Sequence, residues 1–212
     1  MTYTRGVPRG VAIPEIRQQL FSAAEHVIVR DGPGRLSGRA VTGEAGVATG
    51  LLYGHFADLD DFLAAYAIDR AFLVSAQATA LPARAGTGSV VGNLYDAVVS
   101  TPLTTVLALA RLLVARPELT KRIHAVLGDK MAGLDAIEHA AATYLADEQQ
   151  LGRVATTADP EALALALVGV LHHLVLTAGI ESDVHARMRQ TITALVKGFT
   201  TTHPGPRDVD IT

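Results

Sequence analysis

Nine consecutive residues, Ala48-Thr49-Gly50-Leu51-Leu52-Tyr53-Gly54-His55-Phe56, mix small, hydroxyl-bearing and aromatic side chains in a pattern that a plain core helix does not need. At helical spacing Leu52 and Phe56 fall four apart on one face. Ala48, Thr49, Leu51, Tyr53 and His55 are then left for the outside or the rim. Threonine and tyrosine hydroxyls can bond phosphate oxygens, and an apolar side chain such as Leu51 can touch a thymine methyl. Small neighbours let such a helix come close to a groove. This is chemistry for reading double-stranded DNA.

Other chemistries find less support. The chain has no Cys, which removes thiol nucleophiles, thiolate metal sites and disulfides together. His172 and His173 are adjacent, so on a helix they point about 100° apart and cannot chelate as an i, i+4 pair would; no metal site is expected. Ser75, Ser89 and Ser100 stand in no nucleophile-elbow setting. Gly86-Thr87-Gly88 follows a loop rather than a strand and fails the context of a dinucleotide fingerprint, and there is no P-loop. A non-enzymatic chain without a cofactor is expected.

The elements that must position the nine residues are helical, as is the rest of the 212-residue chain. Ile13, Ile16, Leu20, Ala24, Val27 and Ile28 form a first helix that stops at Asp31-Gly32-Pro33-Gly34. A short helix follows over 37–44 with Ser37 as its cap, then Ala45-Gly46-Val47 as a turn, then a helix over 48–54. Asp58-Leu59-Asp60-Asp61 opens a longer helix with an acidic first turn. Beyond a loosening at Pro82 to Gly88, helices are expected at 89–100, 102–115, 118–148, 160–179 and 183–200. Gly128 and Gly133 are points where the third of these can break or bend. The reading is all-α, about nine helices. Its parts are a flexible arm at 1–12, a helix-turn-helix head at 13–57, a connecting helix at 58–80, a helical body at 81–203 and a frayed tail at 204–212.

Composition agrees with a folded protein: 49% hydrophobic, 18% charged and 5% aromatic, with a formal charge of −3. That charge excludes a protein basic all over but not one small basic region. No apolar leader opens the chain, so a cytoplasmic location is expected. Ala162 to Ile180 runs nineteen residues without a formal charge, long enough for a membrane span. Its central His172-His173 and the lack of flanking aromatic or basic belts favour a helix buried on two sides in a protein without a membrane.

Residues 16–66 resemble the N-terminal domain of the TetR family of bacterial transcriptional regulators. The resemblance rests on Ala23-Ala24, Gly32, Ser37-x-Arg39, Ala45-Gly46-Val47, Gly50-x-Leu52-Tyr53-x-His55-Phe56 and the Asp-rich start of the next helix. It implies phosphate contact by Ser37, Tyr53 and His55, and base-facing places for Ala48, Thr49, Gly50 and Leu51; Arg39, where the second helix begins, is a further candidate for DNA contact. The family usually has Lys where this chain has Leu59, and a larger residue where Gly54 stands. Residues 1–56 hold six Arg against four acids, so binding with a shallow salt dependence is expected.

The resemblance further implies a homodimer that binds a pseudo-palindromic DNA operator and a body that takes a small effector. A repressor released by a mainly apolar molecule is the leading expectation. Candidates for the effector site are Tyr95, Leu107, Arg111, Tyr144 and His172, each of which has an ordinary structural alternative. Candidates for the dimer interface are Leu167, Leu171 and Leu174, with Val184, Met188, Ile192, Leu195 and Phe199 as a second stripe. The alternatives are a helical small-molecule-binding protein with a weak head and a membrane-inserted helical protein.

Overall fold

The computed structural model describes residues 13–127, 133–177 and 184–200. The arm at 1–12, with Arg5 and Arg9, and the tail at 204–212 lie outside them. Among the described residues the regular structure is ten α-helices: α1 (Ile13–Asp31), α2 (Gly38–Ala45), α3 (Thr49–His55), α4 (Leu59–Ala78), α5 (Val90–Val99), α6 (Leu103–Ala115), α7 (Glu118–Leu127), α8 (Leu134–Gln150), α9 (Pro160–Thr177) and α10 (Val184–Lys197). Short 3-10 turns occupy Pro33–Arg35 and Pro82–Arg84. The single helix expected over 118–148 is two, α7 and α8, and Gly133 at φ 60° precedes the second. Contacts divide the chain into Met1–Tyr66 and Ala67–Thr212, a boundary that falls inside α4.

The first unit is built around an aromatic cluster. Phe21 on α1 has its ring 6.0 Å from Phe56, 5.7 Å from Phe62 and 5.9 Å from Tyr66, and Phe56 meets Phe62 edge-on at 5.1 Å. The Arg17 guanidinium lies 4.6 Å from the centre of the Phe56 ring, a cation-π contact. Helix starts follow local rules. Ser37 Oγ accepts from the Ala40 amide at the start of α2. Asp58 accepts from the Asp61 amide, while Asp61 accepts from the Ala57 amide, which fixes the start of α4 from both sides.

Ionic contacts join α1 to α2. Arg30 donates to Glu44 at 2.7 Å and pairs with Asp31 at 2.9 Å; His26 Nδ1 lies 3.4 Å from Glu44. The Arg30 guanidinium holds the Glu44 carboxyl below its ordinary value of 4.5. A carboxylate whose value is lower folded than unfolded contributes stability above 4.5 and loses it as pH falls through the folded value. Thermal melts should therefore show the wild type losing stability below pH 4.5 more steeply than Glu44→Gln. Parallel acid curves would refute this role.

In the second unit α9 packs against α6, α8 and α10, and α10 also packs on α5. Asp159 accepts from the amides of Glu161 and Ala162, capping α9. Ser75 on α4 donates to the Ala71 carbonyl at 2.7 Å and accepts from the Gly133 amide at 3.1 Å, tying α4 to the start of α8. By length and composition α9 could cross a membrane. One side of it, with Ala164, Leu167, Val168, Leu171, Leu174 and Val175, is buried in the body.

Candidate nucleic-acid interface and body cavity

The turn between α2 and α3 is held by Gly46, whose φ of 68° is open to glycine and strained for other residues. The Val47 amide bonds the Thr42 carbonyl, and Gln19 of α1 donates to the Ala45 carbonyl at 2.8 Å. Leu52 is fully buried and Phe56 nearly so, while Ala48, Thr49, Gly50 and Tyr53 are exposed and Leu51 and His55 half-buried. The expected division between inward and outward positions is therefore present. Ser37 and Arg39 are exposed at the start of α2. The residues expected at DNA lie on the α2–turn–α3 segment.

Gly38 has a role that sequence reading missed. At that position glycine looks like a weak start to α2. A Cβ there would stand 2.6 Å from the Tyr53 hydroxyl, so glycine makes the seat in which the tyrosine lies. Gly38→Ala is expected to push the ring aside, leave the melting temperature unchanged or higher, and weaken DNA binding about three- to tenfold. Anisotropy titration beside a thermal melt checks both halves; unaltered affinity would show that the ring position is irrelevant.

In the body a cavity of about 180 Å³ opens among α4, α6, α7 and the start of α8. Its walls include Ala71, Val74, Val106, Leu109 and Ile123, and its polar groups are Thr120, His124 and Asp135. His124 Nε2 is 3.5 Å from Asp135 Oδ2. None of the five expected effector residues borders it. Leu107 and Arg111 lie on α6, beside wall residues rather than among them. Tyr95 has its hydroxyl 3.4 Å from His185 Nδ1 and the Arg189 guanidinium 3.8 Å from its ring centre, so it links α5 to α10.

Tyr144 is wholly buried, and its hydroxyl accepts from Asn93 at 3.0 Å. Burial, with the neighbouring Glu148 carboxylate, pushes the Tyr144 phenol well up. His172 is half-buried on α9 and His173 exposed. Among the described residues no three His, Asp or Glu gather as a metal ion would require. The cavity walls escaped sequence reading because they come from four helices and share no local period.

The dimer residues need correction. Leu167, Leu171, Leu174, Met188 and Ile192 are at most 3% exposed within a single chain, so they form its own core. Val184, Leu195 and Phe199 are half-buried. Helix α9 is apolar on both sides, and the side left outside carries Ala162, Leu165 and Gly169, with Leu165 60% exposed.

The comparisons agree with this geometry. Residues 20–66 match the family described as bacterial regulatory proteins, tetR family. No curated protein matches the chain. Among solved structures, a putative transcriptional regulator from Saccharomonospora viridis in complex with choline is 18% identical. It covers 89% of this chain and 100% of its own, with a TM-score of 0.68. A putative TetR-family regulator from Rhodococcus sp. is 19% identical with a TM-score of 0.64, over 88% of this chain and 100% of its own. The regulator FadR from Bacillus subtilis, in complex with stearoyl-CoA, is 18% identical with a TM-score of 0.61, over 86% and 98%. At such identities the likeness speaks for the fold. Residues 20–66 thus match the tetR family of bacterial regulatory proteins, and the all-α chain that carries them has the fold of solved TetR-family transcriptional regulators.

Proposed function

We propose that this chain is a homodimeric, ligand-responsive DNA-binding regulator. It acts as a cytoplasmic repressor that leaves a pseudo-palindromic operator when a small molecule enters the body. The observation that carries this reading is the outward set of Tyr53, Thr49, Ala48, Gly50 and Arg39 on a head whose opposite face is closed by Leu52 and Phe56. Ser37, Tyr53 and His55 supply the phosphate contacts, and Ala48, Gly50 and Leu51 allow close approach to base edges. Arg30 is engaged with Asp31 and Glu44, and Arg17 lies over Phe56, so among the described residues of the head Arg35 and Arg39 are the arginines outside these contacts. That supports the shallow salt dependence.

The effector is small and mainly apolar. The cavity is below the ~300–1,000 Å³ of sites for drug-sized ligands. Its walls are aliphatic, and a polar group on the ligand would meet Thr120, His124 or Asp135. Binding there biases the body between two conformations, limited by the ligand's differential affinity for them. The bound choline and stearoyl-CoA of the two solved regulators support a ligand-holding body. The second copy is accepted by the outer face of α9 around Leu165.

The test is fluorescence anisotropy of the full chain on the DNA upstream of its own gene against scrambled DNA, across a salt series. Sequence-selective binding that weakens gently with salt is expected. Equal affinity for both DNAs at every salt, followed by failure to enrich any motif from a genomic pool, would leave a small-molecule-binding protein with an idle head.

A further inference from the structure

Two threonine hydroxyls join α2 to α3. The Thr42 side chain is buried, and its hydroxyl donates to the Gly38 carbonyl four residues back, at 2.8 Å. The Arg39 carbonyl lies 3.4 Å from the same oxygen. Oγ1 of Thr49 is 3.2 Å away. A hydroxyl has one proton to give and two lone pairs to offer. The proton of Thr42 is committed to a backbone carbonyl, so toward Thr49 it can act only as acceptor. Thr49 is therefore the donor in that bond. Its own proton points into the protein, and the exposed side of its oxygen carries lone pairs alone.

We propose that Thr49 is a specificity-determining residue that accepts a hydrogen bond from an exocyclic amino group, adenine N6 or cytosine N4, in the major groove. A phosphate oxygen has no proton for it and would meet it lone pair to lone pair. Among the polar groups on the base edges in the major groove, those two amino groups are the donors; guanine N7 and O6, adenine N7 and thymine O4 all accept. The assignment rests on the DNA-binding reading above and sharpens it: the Thr49 hydroxyl reads a base, and phosphate contact falls to other side chains. Thr42, whose side chain is buried, is the positioning residue that sets the direction of the Thr49 proton.

The experiment begins with selection of a binding motif from a randomised DNA pool by the full-length wild type and by Thr49→Val. One base-pair position should lose its preference in the variant. At that position two modified duplexes are then compared. One lacks the amino group (purine for adenine, or 2-pyrimidinone for cytosine), and the other carries the 7-deaza purine, which lacks the N7 acceptor. Amino deletion should weaken the wild type about five- to tenfold and weaken Thr49→Val no further. The 7-deaza change should affect both proteins alike. Thr42→Val, which releases the Thr49 proton so that the hydroxyl can also donate, should prefer an amino-bearing base over thymine or guanine at that position less strongly, while keeping its melting temperature and its affinity for non-specific DNA.

A Thr49-dependent loss with the 7-deaza duplex, no altered position in Thr49→Val, or an unchanged preference for an amino-bearing base over thymine or guanine in folded Thr42→Val would each overturn the assignment. Failure of the wild type to enrich any motif is a different result: it removes the DNA-binding reading and this assignment with it.

Discussion

Phe21→Ala should unfold the head and abolish DNA binding while the body keeps its helices. Phe21 is 2% exposed and touches three of the other aromatic rings around it, so its removal opens a cavity at the point where α1, α4 and the end of α3 meet. Phenylalanine-to-alanine changes at such sites cost about 3–5 kcal/mol. For a unit ending at Tyr66 that is most of the stability available. Circular dichroism should show loss of part of the helix signal at 25 °C, and anisotropy should show no specific binding. A variant with full helix content and wild-type affinity would mean that the aromatic cluster is not what holds α3 in place.

Arg153→Met is the corresponding test in the body. Glu148 is wholly buried, with the Arg153 Nε 3.3 Å from its carboxylate. The same guanidinium donates to the Gly88 carbonyl at 2.6 Å, while Asn93, the partner of Tyr144, donates to the Thr87 carbonyl at 2.8 Å. One network thus holds the loop before α5 against the end of α8. Removing the cation leaves a buried carboxylate without its counter-charge, a loss of about 3–5 kcal/mol. The double variant Glu148→Gln with Arg153→Met should recover more than about 1 kcal/mol of it, because the unpaired charge is gone. Denaturant titration of the three variants measures this, and additive losses would show that the two groups do not act as a pair.

What the sequence made legible was local. Ser37 before a helix, Gly46 between two short ones and the four-residue spacing of Leu52 and Phe56 each follow from chemistry that acts within a turn or two, and each is found where expected. What it hid depends on distant partners. An all-round apolar helix such as α9 does not say which side meets its own body, so Leu167 and Leu171 read as interface and proved to be core. Leu107 and Arg111 stood out in an apolar run, yet the cavity is bordered by Val106, Leu109 and Ala110 on the same helix. Helical periodicity also runs on past the start of α8, so the positive φ before it showed in the sequence only as Gly133; Gly128, the other expected breaking point, lies outside the described residues. Thr42 drew no notice because its importance is a hydrogen-bond direction, visible only once Gly38, Thr42 and Thr49 are placed together.

The close approach of Gly38 to Tyr53 also has an evolutionary side. Glycine at position 38 gives up as much as about 1 kcal/mol of helix propensity, and the return on that loss is room for one hydroxyl fifteen residues away. A lineage that replaced Tyr53 with a small residue would lose the reason to keep glycine, and alanine would then be favoured at 38. A lineage that gained a side chain at 38 first would have displaced its tyrosine. Alanine at 38 leaves the side chain at 53 undisturbed only once a small residue has replaced the tyrosine.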